Sequence, residues 1–208
     1  MRHMESRSAH WEKVYESKSF DSVSWYAPHL EESLRLIEEV CSDKSAAIID
    51  IGGGESTLVD DLLQKGYRDL SVLDISSKAI EFTKARLAAQ SGEVNWCTGD
   101  ITQYDFGNKQ FDVWHDRAVF HFLTEARSRA AYVNRVRRFV RKGGYVIVAT
   151  FGPQGPMKCS GLDVVRYSDA QLHGEFGNDF ELVMSQTIKH KTPAGSTQEF
   201  LYCCCKLA

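Results

Sequence analysis

The sequence has few of the features that mark secreted, membrane-spanning or nucleic-acid-binding proteins. Only 4 prolines occur in 208 residues, and 25 basic residues stand against 28 acidic ones. No stretch approaches the roughly 20 apolar residues of a membrane span, and the first residues contain no apolar segment typical of a signal peptide. A nucleic-acid binder normally carries a basic excess. These absences predict a cytoplasmic protein with neither a membrane nor a nucleic-acid partner.

The cysteines form neither a disulfide framework nor a metal-binding motif. Cys41, Cys97 and Cys159 are isolated, and the remaining three are consecutive at 203–205. The C-x-x-C spacing of structural zinc sites does not occur. We therefore predict free thiols, a reducing compartment and no metal site.

What the sequence does contain is an alternation of short apolar runs and amphipathic segments. A helix is predicted over about 28–41. Strands are predicted at 46–51, 70–74, 94–97, 111–115 and 145–151, with helices between them that end near 65, 89 and 141. Such alternation implies right-handed crossovers and a doubly wound parallel sheet. Two later apolar runs, 180–184 and 199–203, predict a hairpin that adds one antiparallel edge strand.

Acidic residues and glycines cluster where the predicted strands end. Gly52 and Gly54 follow the first strand, which ends at Asp50; Asp74 closes the second strand, and Asp100 follows the third. The glycines let the backbone approach a ligand, and a carboxylate at the second position can accept both hydroxyls of a ribose. Together these residues fit an adenosine-containing ligand in the crevice at the carboxyl ends of the strands.

The sequence departs from the dinucleotide-binding fingerprint G-x-G-x-x-G, because Thr57 stands at the position of its last glycine. This departure weakens the hypothesis of a nicotinamide-dependent oxidoreductase, which we keep as an alternative.

A series of motifs in this order resembles class I S-adenosylmethionine-dependent methyltransferases. The motifs are Ile48–Gly54, Leu73–Ser76, Gly99–Ile101, Phe111–Val113 and Arg141–Gly144. The resemblance covers the chain from about residue 11 to its end. It implies an α/β fold, a Rossmann-like doubly wound seven-stranded sheet that is mostly parallel with an antiparallel terminal strand.

The resemblance also implies a cofactor site for S-adenosyl-L-methionine, whose product is S-adenosyl-L-homocysteine. It places Gly52 and Gly54 against the methionine part, Asp50 at the methionine amino group, Asp74 at the ribose and Asp100 at the adenine. The neighbouring Ile75 and Ile101 belong to the same predicted site.

The N-terminal segment contains the W-x-x-x-Y pattern that members of this family use as a lid. Trp11 and Tyr15 are therefore predicted to cover the cofactor, since aromatic faces stabilise a sulfonium cation. Packing of these rings onto the sheet is the alternative. The predicted organisation is a mobile tail at 1–10 and a single domain at 11–208. Within it we expect a lid and helix (11–45), a cofactor core (46–151), and a substrate-side loop, helix and hairpin (152–208).

The catalytic residues predicted from the sequence are His115 and Asp116, at the end of the fourth strand. A histidine there can act as a general base, and the acid can orient it or bind a cationic substrate. The alternatives are a packed histidine at a strand end and an Asp116 that pairs with Arg117.

Loops of the Asp-Pro-Pro-Tyr type and a Pro-Cys nucleophile are absent after the fourth strand, which disfavours a nucleic-acid base as the acceptor. Residues 116–132 resemble thiopurine-type small-molecule methyltransferases and, more loosely, protein lysine methyltransferases. We predict methyl transfer to a thiol, amine or hydroxyl of a small molecule. A protein lysine acceptor and a cofactor-binding module without catalysis remain alternatives.

Overall fold

Buried strands alternate with helices along most of the chain, as the sequence pattern predicts. The computed structural model describes residues 2–208, with side chains from residue 7 onward. The strands are β1 (Ala47–Ile51), β2 (Asp69–Asp74), β3 (Val94–Thr98), β4 (Phe111–Arg117), β5 (Val140–Phe151), β6 (Lys158–Cys159), β7 (Leu162–Asp163), β8 (Phe180–Lys191) and β9 (Thr197–Leu207). The α-helices are α1 (Arg2–Ser17), α2 (Glu31–Val40), α3 (Leu58–Gln64), α4 (Ser77–Leu87), α5 (Ala126–Phe139) and α6 (Asp169–Phe176).

The main sheet has seven strands in the order β3-β2-β1-β4-β5-β9-β8. Strands β1 to β5 are parallel to one another, whereas β9 runs antiparallel to both of its neighbours. This arrangement confirms the predicted fold class. Because the central strands are parallel, their carboxyl ends meet at one edge of the sheet, where β1 places Asp50 beside His115 of β4.

The antiparallel strand does not lie at the edge of the sheet, which corrects the sequence prediction. β9 is inserted between β5 and β8, and β8 forms the edge. Residues 200–205 of β9 are all buried, while most of β8 is exposed or half-buried. A strand that is apolar on both faces is stabilised by an interior position, and the more polar strand of the hairpin tolerates the edge.

Helices cover both faces of the sheet and enclose two hydrophobic cores. One core includes Trp114, Tyr132 of α5 and Phe176 of α6. The other packs Leu36 of α2 and Leu62 of α3 against the opposite face. Among the described residues, no helix combines the length and apolar character that a membrane crossing requires.

Most predicted helix boundaries agree with the structure to within a few residues. Ser76 caps α4, since its hydroxyl accepts a hydrogen bond of 3.2 Å from the Ala79 N–H. Gly66 follows α3 with a φ of +90°, a conformation that favours glycine. β5 begins at Val140 rather than after Gly143 and Gly144.

Three elements differ from the sequence prediction. Residues 2–10 of the predicted tail are helical as part of α1, and Met1 lies outside the described residues. The helix has a partner at this end, because the Ser8 hydroxyl donates to the Ile75 carbonyl over 3.3 Å. The β6–β7 ribbon and the bounds of α6, the helix expected within 152–208, were not assigned from the sequence. α6 begins with a capping box made by Ser168 and Gln171.

Candidate active site

A cavity lies at the carboxyl ends of the parallel strands, between the sheet edge and α1. The space it encloses, including its open mouth, is about 800 Å³. Of the residues predicted from the sequence, seven line it: Trp11, Tyr15, Gly52, Asp74, Ile75, Asp100 and Ile101. Further lining residues, which are not among the predicted site residues, include Trp25, Arg117, Val119, Phe122 and Cys159.

The glycine-rich turn after β1 has two separate structural roles. Gly52 has a φ of +70°, and a Cβ there would collide with Val119. Gly54 does not line the cavity. Its N–H instead donates to the Asp74 carboxylate over 3.0 Å, and a Cβ there would lie 2.6 Å from an oxygen of Asp74. Gly54 therefore supports the acid rather than forming the cavity wall.

Asp74 is held at the floor of the cavity by backbone hydrogen bonds. One oxygen accepts from the Ser76 N–H at 2.8 Å, and the other accepts from Gly54. The residue is only 4% exposed. Burial raises the pKa of Asp74 to about 6, although the backbone hydrogen bonds act in the opposite direction. The carboxylate is therefore fixed in position and poorly solvated, which is typical of a group that awaits a ligand.

Asp100 lies at the same edge, one strand further along. Its Oδ1 accepts hydrogen bonds from the Thr102 N–H and hydroxyl, at 2.8 and 2.7 Å. These contacts fix the carboxyl group where it borders the cavity.

Helix α1 covers the cavity with aromatic rings. The Trp11 ring centroid lies 5.1 Å from that of Phe122 and 5.8 Å from that of Trp25. On the same helix, Tyr15 is half-buried, and the pKa of its hydroxyl is raised well above its usual value by poor solvation of that group and by the nearby Asp74. The two interpretations of these aromatics, lid and packing, are therefore compatible.

The Glu12 side chain attaches α1 to the start of α4. Its Oε1 accepts from the Ser77 N–H at 2.7 Å and from the Ser77 hydroxyl at 3.1 Å. Burial alone would raise the pKa of Glu12, but the hydrogen bonds from Ser77 lower it overall. A carboxylate at a helix N-terminus also interacts favourably with the helix dipole.

A second cavity of about 500 Å³ adjoins the first, with Tyr15, Trp25, Gly52 and Arg117 lining both. Asp50, His115 and Glu55 line the second cavity. Burial, followed by the charge of Asp74, raises the pKa of Glu55 to about 7. Sequence reasoning missed Glu55, although its place directly after Gly54 in the first motif was a signal for it.

His115 is fully buried and both of its ring nitrogens have protein partners. Nδ1 lies 2.7 Å from the Asp50 carboxylate, and Nε2 lies 2.9 Å from the Ser33 hydroxyl. The Ser33 hydroxyl is in turn 3.2 Å from the Tyr202 hydroxyl. The expected general base thus has no ring nitrogen available to an acceptor, and this geometry instead makes His115 a residue that positions Asp50.

Asp116 lines neither cavity, which departs from the predicted catalytic role. Side chains of successive strand residues point to opposite faces, so Asp116 lies opposite His115. Its oxygens accept from the Val119 N–H at 2.9 Å, the Phe120 N–H at 3.1 Å and the Tyr132 hydroxyl at 2.7 Å. Burial raises its pKa to about 6. These contacts hold the loop after β4 and leave the carboxylate remote from an acceptor.

Comparisons with known proteins agree with this architecture. Residues 48–144 match the family profile described as a methyltransferase domain. The bovine (Bos taurus) eEF1A lysine and N-terminal methyltransferase is 25% identical over 139 residues, which cover 66% of this chain and 19% of that protein. The chain thus spans about a fifth of the length of this curated relative.

Two solved structures share the fold. A SAM-dependent methyltransferase from Anabaena variabilis superposes with a TM-score of 0.74 at 16% identity, covering 100% of this chain and 96% of the other. The Burkholderia thailandensis 1,6-didemethyltoxoflavin-N1-methyltransferase, bound to 1,6-didemethyltoxoflavin and S-adenosylhomocysteine, gives 0.69 at 15% identity, covering 98% and 84%.

Residues 48–144 are thus similar to a methyltransferase domain, and the chain has the Rossmann-like fold of the two solved methyltransferases.

Proposed function

We propose that this chain transfers a methyl group from S-adenosylmethionine to a thiol, amine or hydroxyl of a small molecule. The observation that carries the proposal is the covered cavity. Trp11 and Tyr15 on α1 line the same space as Asp74 and Asp100 at the sheet edge. A cofactor and a small acceptor fit under such a cover more readily than an extended protein segment does.

The residues at the edge suit the chemical groups of S-adenosylmethionine. In our proposal Asp74 accepts the ribose hydroxyls, and Asp100 accepts a hydrogen bond from the adenine amino group. Ile75 and Ile101 supply apolar contacts in the same cavity. The backbone of Gly52, together with Asp50 in the adjoining cavity, receives the methionine part.

When bound, S-adenosylmethionine would supply an electrophilic methyl group to the acceptor's lone pair, with the electron pair of the broken bond returning to sulfur and the acceptor's proton passing to water. The protein contributes alignment and the exclusion of water. Fixing two reactants in line can lower a barrier by roughly 7–11 kcal/mol. The rings of Trp11 and Tyr15 favour a nearby cation by about 0.5–2 kcal/mol.

A lysine side chain of a protein is the second candidate acceptor. The bovine relative is named for lysine and N-terminal methylation of eEF1A, and its likeness to this chain is the observation that favours this candidate.

The test uses methyl-labelled S-adenosylmethionine, the purified chain and an extract of the source organism. The extract is divided into a protein fraction and a small-molecule fraction. We expect label in the small-molecule fraction, and little label with Asp74→Asn. Label confined to one protein band would contradict the proposal and favour lysine methylation. Absence of label in both fractions, despite cofactor binding, would favour a module without catalysis.

A further inference from the structure

Arg117 ends β4 at the junction of the two cavities and lines both. Its Nη1 donates to the Trp25 carbonyl over 2.8 Å. Its guanidinium carbon lies 4.4 Å from the centroid of the Phe200 ring of β9. The side chain is thus held by a loop and by the C-terminal hairpin.

The positive charge of Arg117 has no acidic partner within residues 7–208. No carboxylate oxygen in this range lies within 4.0 Å of its guanidinium nitrogens. By contrast, the enclosed Arg86 and Arg129 pair with Asp60 and Glu175 at 2.7 Å each. A partly buried charge is unfavourable unless it is paired, so the unpaired guanidinium is suited to an anionic ligand.

The charges around the cavities are separated in space. The acids that line them, Asp50, Glu55, Asp74 and Asp100, belong to the turns and strand ends of β1 to β3. The side toward the loop after β5 and the hairpin contributes Arg117 instead, and α1 contributes a second basic residue, Arg7, to the first cavity. Its charge reaches His190, whose pKa is lowered by burial first and by Arg117 second.

Cys159, which lines the first cavity from that loop, has a pKa raised to about 11 by burial, although Arg117 and Lys18 act in the opposite direction. The thiol is therefore neutral near pH 7, and it does not neutralise the guanidinium.

We propose that Arg117 binds a carboxylate of the methyl acceptor, which makes this residue a determinant of acceptor specificity. The inference rests on the proposed function and narrows it to small molecules that carry an acidic group besides the nucleophile. A bidentate guanidinium–carboxylate pair also orients its ligand. The same positive charge disfavours a lysine ammonium group as the acceptor.

A carboxylate can come from two sources, the acceptor or the amino-acid part of the cofactor. We assign it to the acceptor because the contacts of Arg117 lie at Trp25 and Phe200 rather than at the glycine-rich turn. The experiment must distinguish these sources.

The experiment compares wild type with Arg117→Gln and Arg117→Lys, with Arg138→Gln as a control at a surface arginine that pairs with Asp105. Two quantities are measured: the affinity for S-adenosylhomocysteine by calorimetry, and label transferred to the small-molecule extract. The labelled product is then applied to an anion exchanger at pH 8 and at pH 2. We expect a product that is retained only at pH 8. Arg117→Gln should lower its yield at least tenfold, with cofactor affinity within threefold of wild type, and Arg117→Lys should retain part of the yield.

Three results would overturn this inference and leave the proposed function intact. They are a neutral or cationic labelled product, an unchanged product yield with Arg117→Gln, and a tenfold loss of S-adenosylhomocysteine affinity with Arg117→Gln. In the last case, 5′-methylthioadenosine, which lacks the carboxylate, should bind wild type and Arg117→Gln equally, which would identify the cofactor as the source. If wild type labels no small molecule at all, the proposed function fails and this inference fails with it.

Discussion

At the scale of single residues, the acids at the sheet edge are held in place by the protein before any ligand arrives. Asp74 is fixed by two backbone N–H groups, and Asp50 by the ring of His115. Fixed, poorly hydrated acceptors need little reorganisation when a ligand binds, and this arrangement is typical of functional sites.

Because the His115 ring contacts Asp50, we expect a disturbance of this ring to affect cofactor binding more than proton transfer. Ser33→Ala removes the hydroxyl that contacts Nε2 and loosens the ring that holds Asp50. If Asp50 receives the methionine amino group, the affinity for S-adenosylmethionine should fall about twofold to tenfold, since a hydrogen bond of this kind contributes about 0.5–1.5 kcal/mol. Calorimetry with S-adenosylhomocysteine measures this loss.

A general base would behave differently in the same experiment. Under that hypothesis, His115→Gln abolishes turnover and changes its pH profile while cofactor affinity stays at the wild-type value. Ser185→Ala, at a half-buried serine of β8, is a control for the removal of a hydroxyl elsewhere.

The raised pKa of Glu55 predicts that the free energy of unfolding depends on pH. Its pKa is about 7 in the folded protein against 4.5 ordinarily. Between about pH 4.5 and 7 the folded state therefore holds a proton that the unfolded chain has released, so the free energy of unfolding decreases as the pH rises through this window. Glu55→Gln lacks this titration. It should be more stable than wild type at pH 8, by up to about 1 kcal/mol after allowance for solvent screening.

Urea unfolding at pH 4, 6 and 8 measures the effect. The stability advantage of Glu55→Gln should shrink steadily toward pH 4, and the exposed Glu181→Gln should show no such trend. An advantage that is the same at all three values would mean that Glu55 titrates normally in the folded protein.

At the scale of secondary-structure elements, the contact between α1 and α4 determines how the cavity is covered. Glu12→Gln removes the negative charge from the N-terminus of α4 and weakens its contacts with Ser77. We expect cofactor affinity to fall about threefold to tenfold, as for the loss of a helix cap worth about 0.5–1.5 kcal/mol. Hydrogen exchange of the backbone amides in residues 8–17 should become faster.

Glu16→Gln is the matched control on the same helix. Glu16 pairs with Lys78 at 2.9 Å, but its side chain is 67% exposed, so its loss should change affinity less than twofold. If Glu12→Gln and Glu16→Gln lower cofactor affinity equally, the loss of a negative charge on α1, rather than the contact with α4, accounts for the result.

Local signals made much of the fold predictable, and non-local packing accounts for the differences. Ser76 and Gly66 mark helix ends through their own backbone and side-chain chemistry, and both were identified. The order of the last two strands depends on which one is apolar on both faces, and the buried run at 200–205 carries that signal. α6 is only eight residues long, so the sequence predicted a helix within 152–208 but not its bounds.

The same distinction between local signals and non-local packing holds for the residues of the site. Asp74 and Asp100 follow strands directly, and their motifs are contiguous, so their place beside the cavity could be predicted. The partners of His115 and Arg117 lie far away in sequence, at Ser33 and at Trp25. For that reason a base at 115 and an ion pair between Asp116 and Arg117 were reasonable expectations that the tertiary structure does not support.

At the scale of the whole molecule, cofactor binding should stabilise the fold as a unit, because the cavity joins α1 to the ends of β1 to β4. A ligand present at 100 times its Kd contributes about 2.7 kcal/mol to the free energy of unfolding. For a domain of this size, that corresponds to a rise in Tm of roughly 5–11 °C. We expect this rise with S-adenosylhomocysteine, measured by calorimetric unfolding, and no rise with NAD⁺.

The variant Asp74→Asn tests whether the rise comes from the predicted site. An amide leaves one backbone N–H without its acceptor and offers the ribose one acceptor fewer, so affinity should fall at least tenfold, or about 1.4 kcal/mol. At a fixed ligand concentration of 100 times the wild-type Kd, at least about half of the rise in Tm should then be lost. Asp163→Asn, at a side chain that is 76% exposed, should retain the full rise. A rise with NAD⁺ but not with S-adenosylhomocysteine would favour the oxidoreductase hypothesis, because only the ligand that binds the folded state can shift its unfolding.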